Sequence, residues 1–185
     1  MPVLISLLRG VNVGGHHKIK MEELRSVYGE LGFTDVRSYV QSGNVLFKSR
    51  AAGSAKLAGR IEDAIEQKWG FRPAVILRTL AEMAAVVETN PFDGRDDVAP
   101  NHLAVIFLGA APAAKAVQSI TAMSWAPEEV RLAGRELFIH FPNGMGQSKL
   151  APNSLEKILN TAGTARNWNT VTKLLAMAKE MSGED

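Results

Sequence analysis

A glycine-rich loop near the N-terminus combines cationic, amide and small residues in an order that suits the binding of an anion. Residues 9–18 read RGVNVGGHHK and connect a predicted strand to a predicted helix. At such junctions α/β proteins hold anions with backbone N–H groups that glycine leaves accessible. The candidate ligand-binding residues of this loop are Arg9, Asn12, Gly14 and Gly15.

The loop departs from both common phosphate-binding motifs. Asn12 stands at the second glycine of G-x-G-x-x-G, and His16 follows Gly15 where a P-loop has lysine. We therefore assign neither motif. The alternative interpretation is a flexible connection whose glycines only make turns.

A second glycine loop, residues 142–149 (PNGMGQSK), lies between a predicted strand and a predicted helix. Backbone N–H groups at Gly144 and Gly146, together with a hydroxyl and an ammonium group at the end of the loop, suit a phosphate or a carboxylate. The candidate residues are Ser148 and Lys149, and a plain surface loop is the alternative.

Residues 41–44 (QSGN) separate two short β-prone runs and predict a hairpin turn, because glycine and asparagine tolerate positive φ. Turn formation alone explains this composition. Gln41 beside Asn44 nevertheless supplies two amides, which offer more donors and acceptors than a turn requires. Gln41, Ser42 and Asn44 are therefore candidates, with the turn alone and the turn plus a site both open.

Residues 164–170 (TARNWNT) concentrate polar groups just before the last predicted helix. Arg166 suits bidentate binding of an oxyanion, Asn169 or Thr170 suits the helix cap, and Lys173 lies on the same helix face as Asn169. We expect Trp168 to be a core anchor. The candidate residues here are Arg166, Asn167, Asn169 and Lys173.

We expect these four segments to share one cationic, amide-rich cleft that binds a small phosphate- or carboxylate-bearing ligand. Arg9, Lys149 and Arg166 would be the charge partners of the ligand. Gln41, Asn44 and Asn167 would orient it, and the glycines would let the backbone approach closely. The sequence leaves a reaction, a cofactor and the oligomeric state open.

Two other functions stay open. A nucleic-acid-binding module is one, because ferredoxin-like sheets stack bases, but residues 45–48 (VLFK) lack the RNP signature, aromatic residues are only 6% and the net charge is only +2. A protein-interaction domain is the other, with residues 93–100 as its exposed segment.

The composition argues against thiol, metal and membrane chemistry. There is no cysteine, which excludes thiol nucleophiles and fits the cytoplasm, where we expect the protein. His16 and His17 are loop neighbours, and His102 and His140 are isolated, so we predict no metal site. The longest apolar stretch, residues 103–114, is too short to span a bilayer, so we expect no membrane partner.

The elements that position the four segments repeat once along the chain. The first half predicts β-α-β-β-α-β, and the second predicts β-α-β-β-α without a clear last strand, followed by a helix over 169–181. This order is typical of an α+β fold with two ferredoxin-like split β-α-β subdomains and a C-terminal helix. We predict subdomains at 1–92 and 101–185 with a linker at 93–100, or one compact domain.

Several multi-residue motifs follow one another along nearly the whole chain: LRGVNVGG at 8–15, IKM at 19–21, QSGNV at 41–45, SKL at 148–150 and RNWNTV at 166–171. Together they resemble the bacterial family called domain of unknown function 1697. The resemblance implies a stand-alone α+β protein with two similar subdomains, and it implies no activity.

Overall fold

The chain divides into two units, each built on its own four-stranded antiparallel sheet. The computed structural model describes residues 1–51, 55–150 and 152–183. One unit comprises Met1–Ala84 with Lys173–Asp185, and the other comprises Ala85–Thr172. The α+β class with two split β-α-β sheets and a C-terminal helix is therefore confirmed.

The first unit has the order β-α-β-β-α-β, with its strands arranged as β2-β3-β1-β4. This strand order is that of the ferredoxin-like fold. Its elements are β1 (Val3–Leu8), α1 (Met21–Glu30), β2 (Thr34–Tyr39), β3 (Asn44–Lys48), α2 (Ala55–Trp69) and β4 (Val75–Thr79).

The central strand β1 is buried on both faces, which explains its continuous apolar run. Leu4 and Leu8 pack in one cluster with Leu24 of α1 and Ile61 of α2. The single polar residue of the strand, Ser6, shares a 2.6 Å hydrogen bond with the Tyr28 hydroxyl. Burial raises the pKa of Tyr28 despite this bond, so the phenol stays neutral in the core.

The second unit repeats this arrangement, with the strand order β6-β7-β5-β8. Ala104, Ile106 and Leu108 pack with the helix residues Ile120 and Leu155. Helix α3 (Leu80–Glu88) precedes the second sheet, and α6 (Trp168–Ser182) follows it. The elements of the second sheet and its packed helices are β5 (Leu103–Leu108), α4 (Ala114–Ala122), β6 (Glu129–Ala133), β7 (Glu136–His140), α5 (Pro152–Leu159) and β8 (Gly163–Asn167).

Strand β8 is the element that the sequence pattern did not predict. Residues 163–167 pair with β5, with Arg166 opposite Val105, in place of the expected helix-entry loop. The strand is short and buries polar side chains at Thr164 and Arg166, so it lacks the apolar alternation of a strand. Asn167 then accepts the Thr170 N–H at 2.8 Å, so α6 begins directly after the strand.

Residues 93–100, the predicted linker, lie within the second unit. Arg95 donates to both carboxylate oxygens of Glu129 in β6, each at 2.9 Å, and lies over the ring of the buried Phe92. A charge-assisted bidentate pair fixes both position and orientation. The segment is thus held against the sheet of the second unit. The subdomain limits at 1–92 and 101–185 stay a prediction.

Candidate functional site

Two of the four candidate segments meet at one end of the first sheet. The loop 9–18 leaves the C-terminal end of β1, and the 41–44 turn precedes β3, whose Asn44 pairs with Leu7. Leu8 donates its N–H to the Gly43 carbonyl at 2.9 Å, which seats the turn against the start of the loop. This antiparallel pairing brings the two segments together.

Asn12 joins the two segments through its side chain. Its Oδ1 accepts the Ile19 N–H at 2.8 Å, and its Nδ2 donates to the carbonyls of Ile19 at 2.9 Å and Gln41 at 2.7 Å. The Asn12 side-chain amide thus connects the loop to Gln41, which lies 29 positions further along the chain. We call this set of hydrogen bonds the Asn12 clasp. Asn12 therefore orders the loop, whatever contact it makes with a ligand.

The loop backbone adopts the left-handed conformation repeatedly, including at two residues that are not glycine. Asn12 has a φ of 55° and His17 a φ of 49°. The His17 ring stacks on Phe71 with centroids 4.1 Å apart, and its Nδ1 lies 3.3 Å from the Gly10 carbonyl oxygen. Asn12 and His17 thus anchor the two sides of the exposed glycine pair at Gly14 and Gly15.

The loop and the turn border an open cleft of about 570 Å³ in the first unit. The predicted site residues Asn12, Gly15 and Gln41 line it together with four residues outside the predicted set. The full lining consists of Asn12, Gly15, Lys18, Ile19, Lys20, Glu23 and Gln41.

The charged groups of this cleft are Lys18, Lys20 and Glu23. Lys20 Nζ lies 3.9 Å from Glu23 Oε1, and the two side chains are 84% and 44% exposed. An ion pair this exposed contributes little to the stability of the fold. Both charged groups are therefore available to a ligand. In the sequence Lys18 and Lys20 lie at the end of the glycine loop, but nothing local to them indicates that they line a cleft with Gln41.

The other predicted residues of the first unit have mainly local roles. Asn44 is fully buried, and its Nδ2 donates to the Tyr39 carbonyl at 3.0 Å and to Ser42 Oγ at 3.1 Å. Arg9 is half-buried, donates its backbone N–H to the Ala74 carbonyl at 2.9 Å and is absent from the cleft lining. Ser42 and Asn44 thus stabilise the turn.

The second glycine loop lies in the second unit. Ser148 donates its hydroxyl to Glu128 Oε1 at 2.5 Å and accepts the Leu150 N–H at 3.0 Å, so its oxygen is engaged in the loop. Lys149 is exposed. Gly144 has a φ of 81°, a conformation that glycine adopts without a steric penalty.

Arg166 is buried in β8 and donates to Thr164 Oγ1 and to the Ala165 carbonyl, both at 2.8 Å. Burial lowers its pKa to about 10. Asn169 and Lys173 of α6 are both exposed, and Lys173 belongs to the first unit. A ligand role for the candidates of the second unit, and a single cleft for all four segments, stay predictions.

One cluster of the second unit escaped the sequence analysis. His140 is 3% exposed; its Nδ1 lies 3.2 Å from Glu129 Oε1, while its buried Nε2 has no hydrogen-bond partner among the described residues. Arg95 first, and His140 second, hold the pKa of Glu129 below its usual range. Sequence spacing carried no signal for this cluster, because β-sheet pairing brings residues 129 and 140 together.

Two further cavities contain none of the predicted site residues. One, of about 710 Å³, lies in the first unit near Lys48, Thr79 and Lys179. The other, of about 480 Å³, lies between α4 and β6. Within residues 1–51, 55–150 and 152–183, no group of three or more potential metal ligands occurs. No helix in these ranges has both the length and the apolar character needed to cross a membrane.

The chain is similar in structure to the conserved bacterial protein SP0830 from Streptococcus pneumoniae. The two are 25% identical with a TM-score of 0.73, and the match covers 96% of this chain and 99% of that chain. No curated protein matches the sequence. A family model described as a protein of unknown function (DUF1697) matches residues 1–138. The resemblance predicted from the motifs is therefore confirmed, and the chain belongs to the DUF1697 family.

Proposed function

We propose that the cleft of the first unit binds a small anionic ligand through a phosphate or carboxylate group. One observation carries the proposal: Lys18 and Lys20 line the same cleft of about 570 Å³ as the Gln41 amide and Gly15. This volume lies in the range of small-molecule sites. Ammonium groups on flexible stems are suited to meet an anion as point charges.

The ordered loop supports this proposal energetically. Asn12 fixes the loop against the Gln41 carbonyl at 2.7 Å, and His17 is stacked on Phe71. A loop that is already ordered loses less conformational entropy when a ligand binds, so more of the interaction energy appears as affinity. The left-handed φ values of Asn12 and His17 fit a loop shaped for binding.

The internal repeat indicates one such site per chain. In the second unit the segment between β5 and α4 is residues 109–113 (GAAPA), which contains no cation and no amide side chain. It occupies the position that residues 9–20 have in the first unit. We therefore expect a stoichiometry of one anion per chain in this type of cleft.

Titration of inorganic phosphate, followed by thermal unfolding and calorimetry, tests the proposal. A ligand that binds only the native state raises the midpoint in proportion to the logarithm of its concentration. We expect the double variant Lys18→Ala/Lys20→Ala to lose this response. The matched control is Lys56→Ala/Lys115→Ala, which removes two exposed lysines that do not line the cleft.

The proposal is wrong if phosphate and acetate leave the wild-type midpoint unchanged, or if the control double variant loses the response equally. Binding of a single-stranded oligonucleotide that depends on Lys18 and Lys20, without any phosphate response, would instead support the nucleic-acid alternative. We propose that the binding occurs in the cytoplasm, which the cysteine-free sequence fits.

A further inference from the structure

We propose that the ligand of this cleft is zwitterionic, with an ammonium group for Glu23 as well as an anionic group for Lys18 and Lys20. The inference rests on the proposed function and narrows its ligand class. It starts from the one acidic residue in the lining, which a site for a simple anion does not need.

Glu23 lies in the first turn of α1 and lines the cleft beside the two lysines. Its charged neighbour is Lys20, whose Nζ is 3.9 Å away on a side chain that is 84% exposed. A pair of this distance and exposure is loosely held and well screened. The Glu23 carboxylate therefore remains an acceptor for a ligand group inside the cleft.

The charged lining is net positive and attracts an anion, and the acidic side chain of Glu23 within it favours one class of anionic ligand. A bare anion in this cleft meets two positive groups and one negative group, so Glu23 opposes its binding. A polyanion such as a diphosphate or a nucleic-acid strand is still attracted by the two lysines, but it leaves the negative charge of Glu23 without a positive partner in the ligand. A ligand that carries an ammonium group beside its anionic group converts this repulsion into attraction. Glu23 thus favours a compound with both charges close together.

The neutral part of the lining fits such a ligand. The exposed Gln41 side chain offers a donor and an acceptor, so it serves either end of a zwitterion. Ile19 is the apolar residue of the lining; its side chain packs in the core, and the 3% that is exposed leaves a small apolar surface for a short carbon chain between the two charges. Amino acids and phosphorylated amino alcohols share this chemistry, a carboxylate or a phosphate a few bonds away from an ammonium group.

Two probes of nearly equal size separate the charges: ethyl phosphate carries only the anion, and phosphoethanolamine carries the anion and an ammonium group. We measure both by calorimetry on the wild-type protein and on Glu23→Gln. We expect phosphoethanolamine to bind the wild type about fivefold more tightly than ethyl phosphate. In Glu23→Gln this preference should disappear, while the affinity for ethyl phosphate stays equal or rises.

Glu22→Gln is the matched control, because Glu22 lies in the same helical turn, carries the same charge and does not line the cleft. Its preference for phosphoethanolamine should equal that of the wild type. Equal affinities of the two probes for the wild type, or equal effects of the two Gln variants, would overturn the inference and leave anion binding intact. Absence of binding by both probes would refute the proposed function itself.

Discussion

Gly43 is the residue at which the turn of residues 41–44 presses against the loop of the candidate cleft. It has a φ of 76°, and a Cβ placed on it would lie 2.8 Å from the Leu8 Cβ and 3.4 Å from the Val11 Cβ. Contacts below about 3 Å are not tolerated, and the Leu8 Cβ moves only with its backbone. Gly43→Ala therefore combines a strained backbone with a steric clash.

The magnitude follows from these two parts. Alanine in the left-handed region costs roughly 1–2 kcal/mol relative to glycine. Overpacking of a well-packed site costs roughly 1–3 kcal/mol more. We thus expect Gly43→Ala to lower the free energy of unfolding by about 2–5 kcal/mol. Gly70→Ala is the matched control, because Gly70 also has a φ of 76° but a Cβ on it would meet no described atom within 4 Å beyond its chain neighbours.

Urea unfolding followed by circular dichroism measures both variants against the wild type. Gly70→Ala should show only the backbone cost of about 1–2 kcal/mol. The difference between the two variants isolates the clash with Leu8 and Val11. Equal destabilisation by the two substitutions would refute this account of the turn, because the packing of Gly43 against the loop would then contribute nothing.

Other substitutions test the clasp, the core and the charged cluster. Asn12→Ala should lower the free energy of unfolding by about 1–3 kcal/mol in urea and weaken the phosphate response, since the carbonyls and the N–H that it binds lose their partner; an unchanged response would contradict its role as a clasp. Tyr28→Phe should cost about 1–2 kcal/mol by urea unfolding, because it leaves the buried Ser6 hydroxyl without its 2.6 Å partner, and a neutral result would count against this bond. Arg95 lowers the pKa of Glu129 from its usual 4.5, so the stability from this pair is present above about pH 4.5 and is lost as the pH falls through the lowered pKa. Glu129→Gln should accordingly differ most from the wild type near neutral pH in thermal melts, and a difference that grows on acidification would be contrary to this sign. Finally, the midpoint of thermal unfolding should be the same with and without EDTA, and a drop of several degrees would reveal a metal that the sequence did not predict.

The fold was largely predictable because its elements are strongly periodic. The continuous apolar runs at 3–8 and 103–108 predicted the two central strands, which are buried along their whole length. Strand β8 was missed because its two buried polar residues, Thr164 and Arg166, depend on partners that the local sequence does not reveal. The pairing with β5 overrides the weak strand propensity of this segment.

Two of the four predicted segments border the candidate cleft, whereas the roles of their side chains were not predictable. The glycine loop and the 41–44 turn were recognised, and they do meet. Asn44, Asn167 and Ser148 were expected at a ligand, and each makes local hydrogen bonds that stabilise a turn, a helix end or a loop. An amide or a hydroxyl side chain looks the same in the sequence whether it binds a ligand or stabilises a turn. Only its hydrogen-bond partners in the structure distinguish the two roles.

The sequence by itself determined the α+β class, the internal repeat and the family, and it predicted four candidate segments, of which two border the cleft. The tertiary structure alone decided that Lys18, Lys20 and Glu23 line this cleft with Gln41. The physical reason is that the cleft closes through the bond from Asn12 to the carbonyl of Gln41, residues 29 positions apart. A contact of that range depends on the pairing of β1 with β3, and local periodicity contains no information about it.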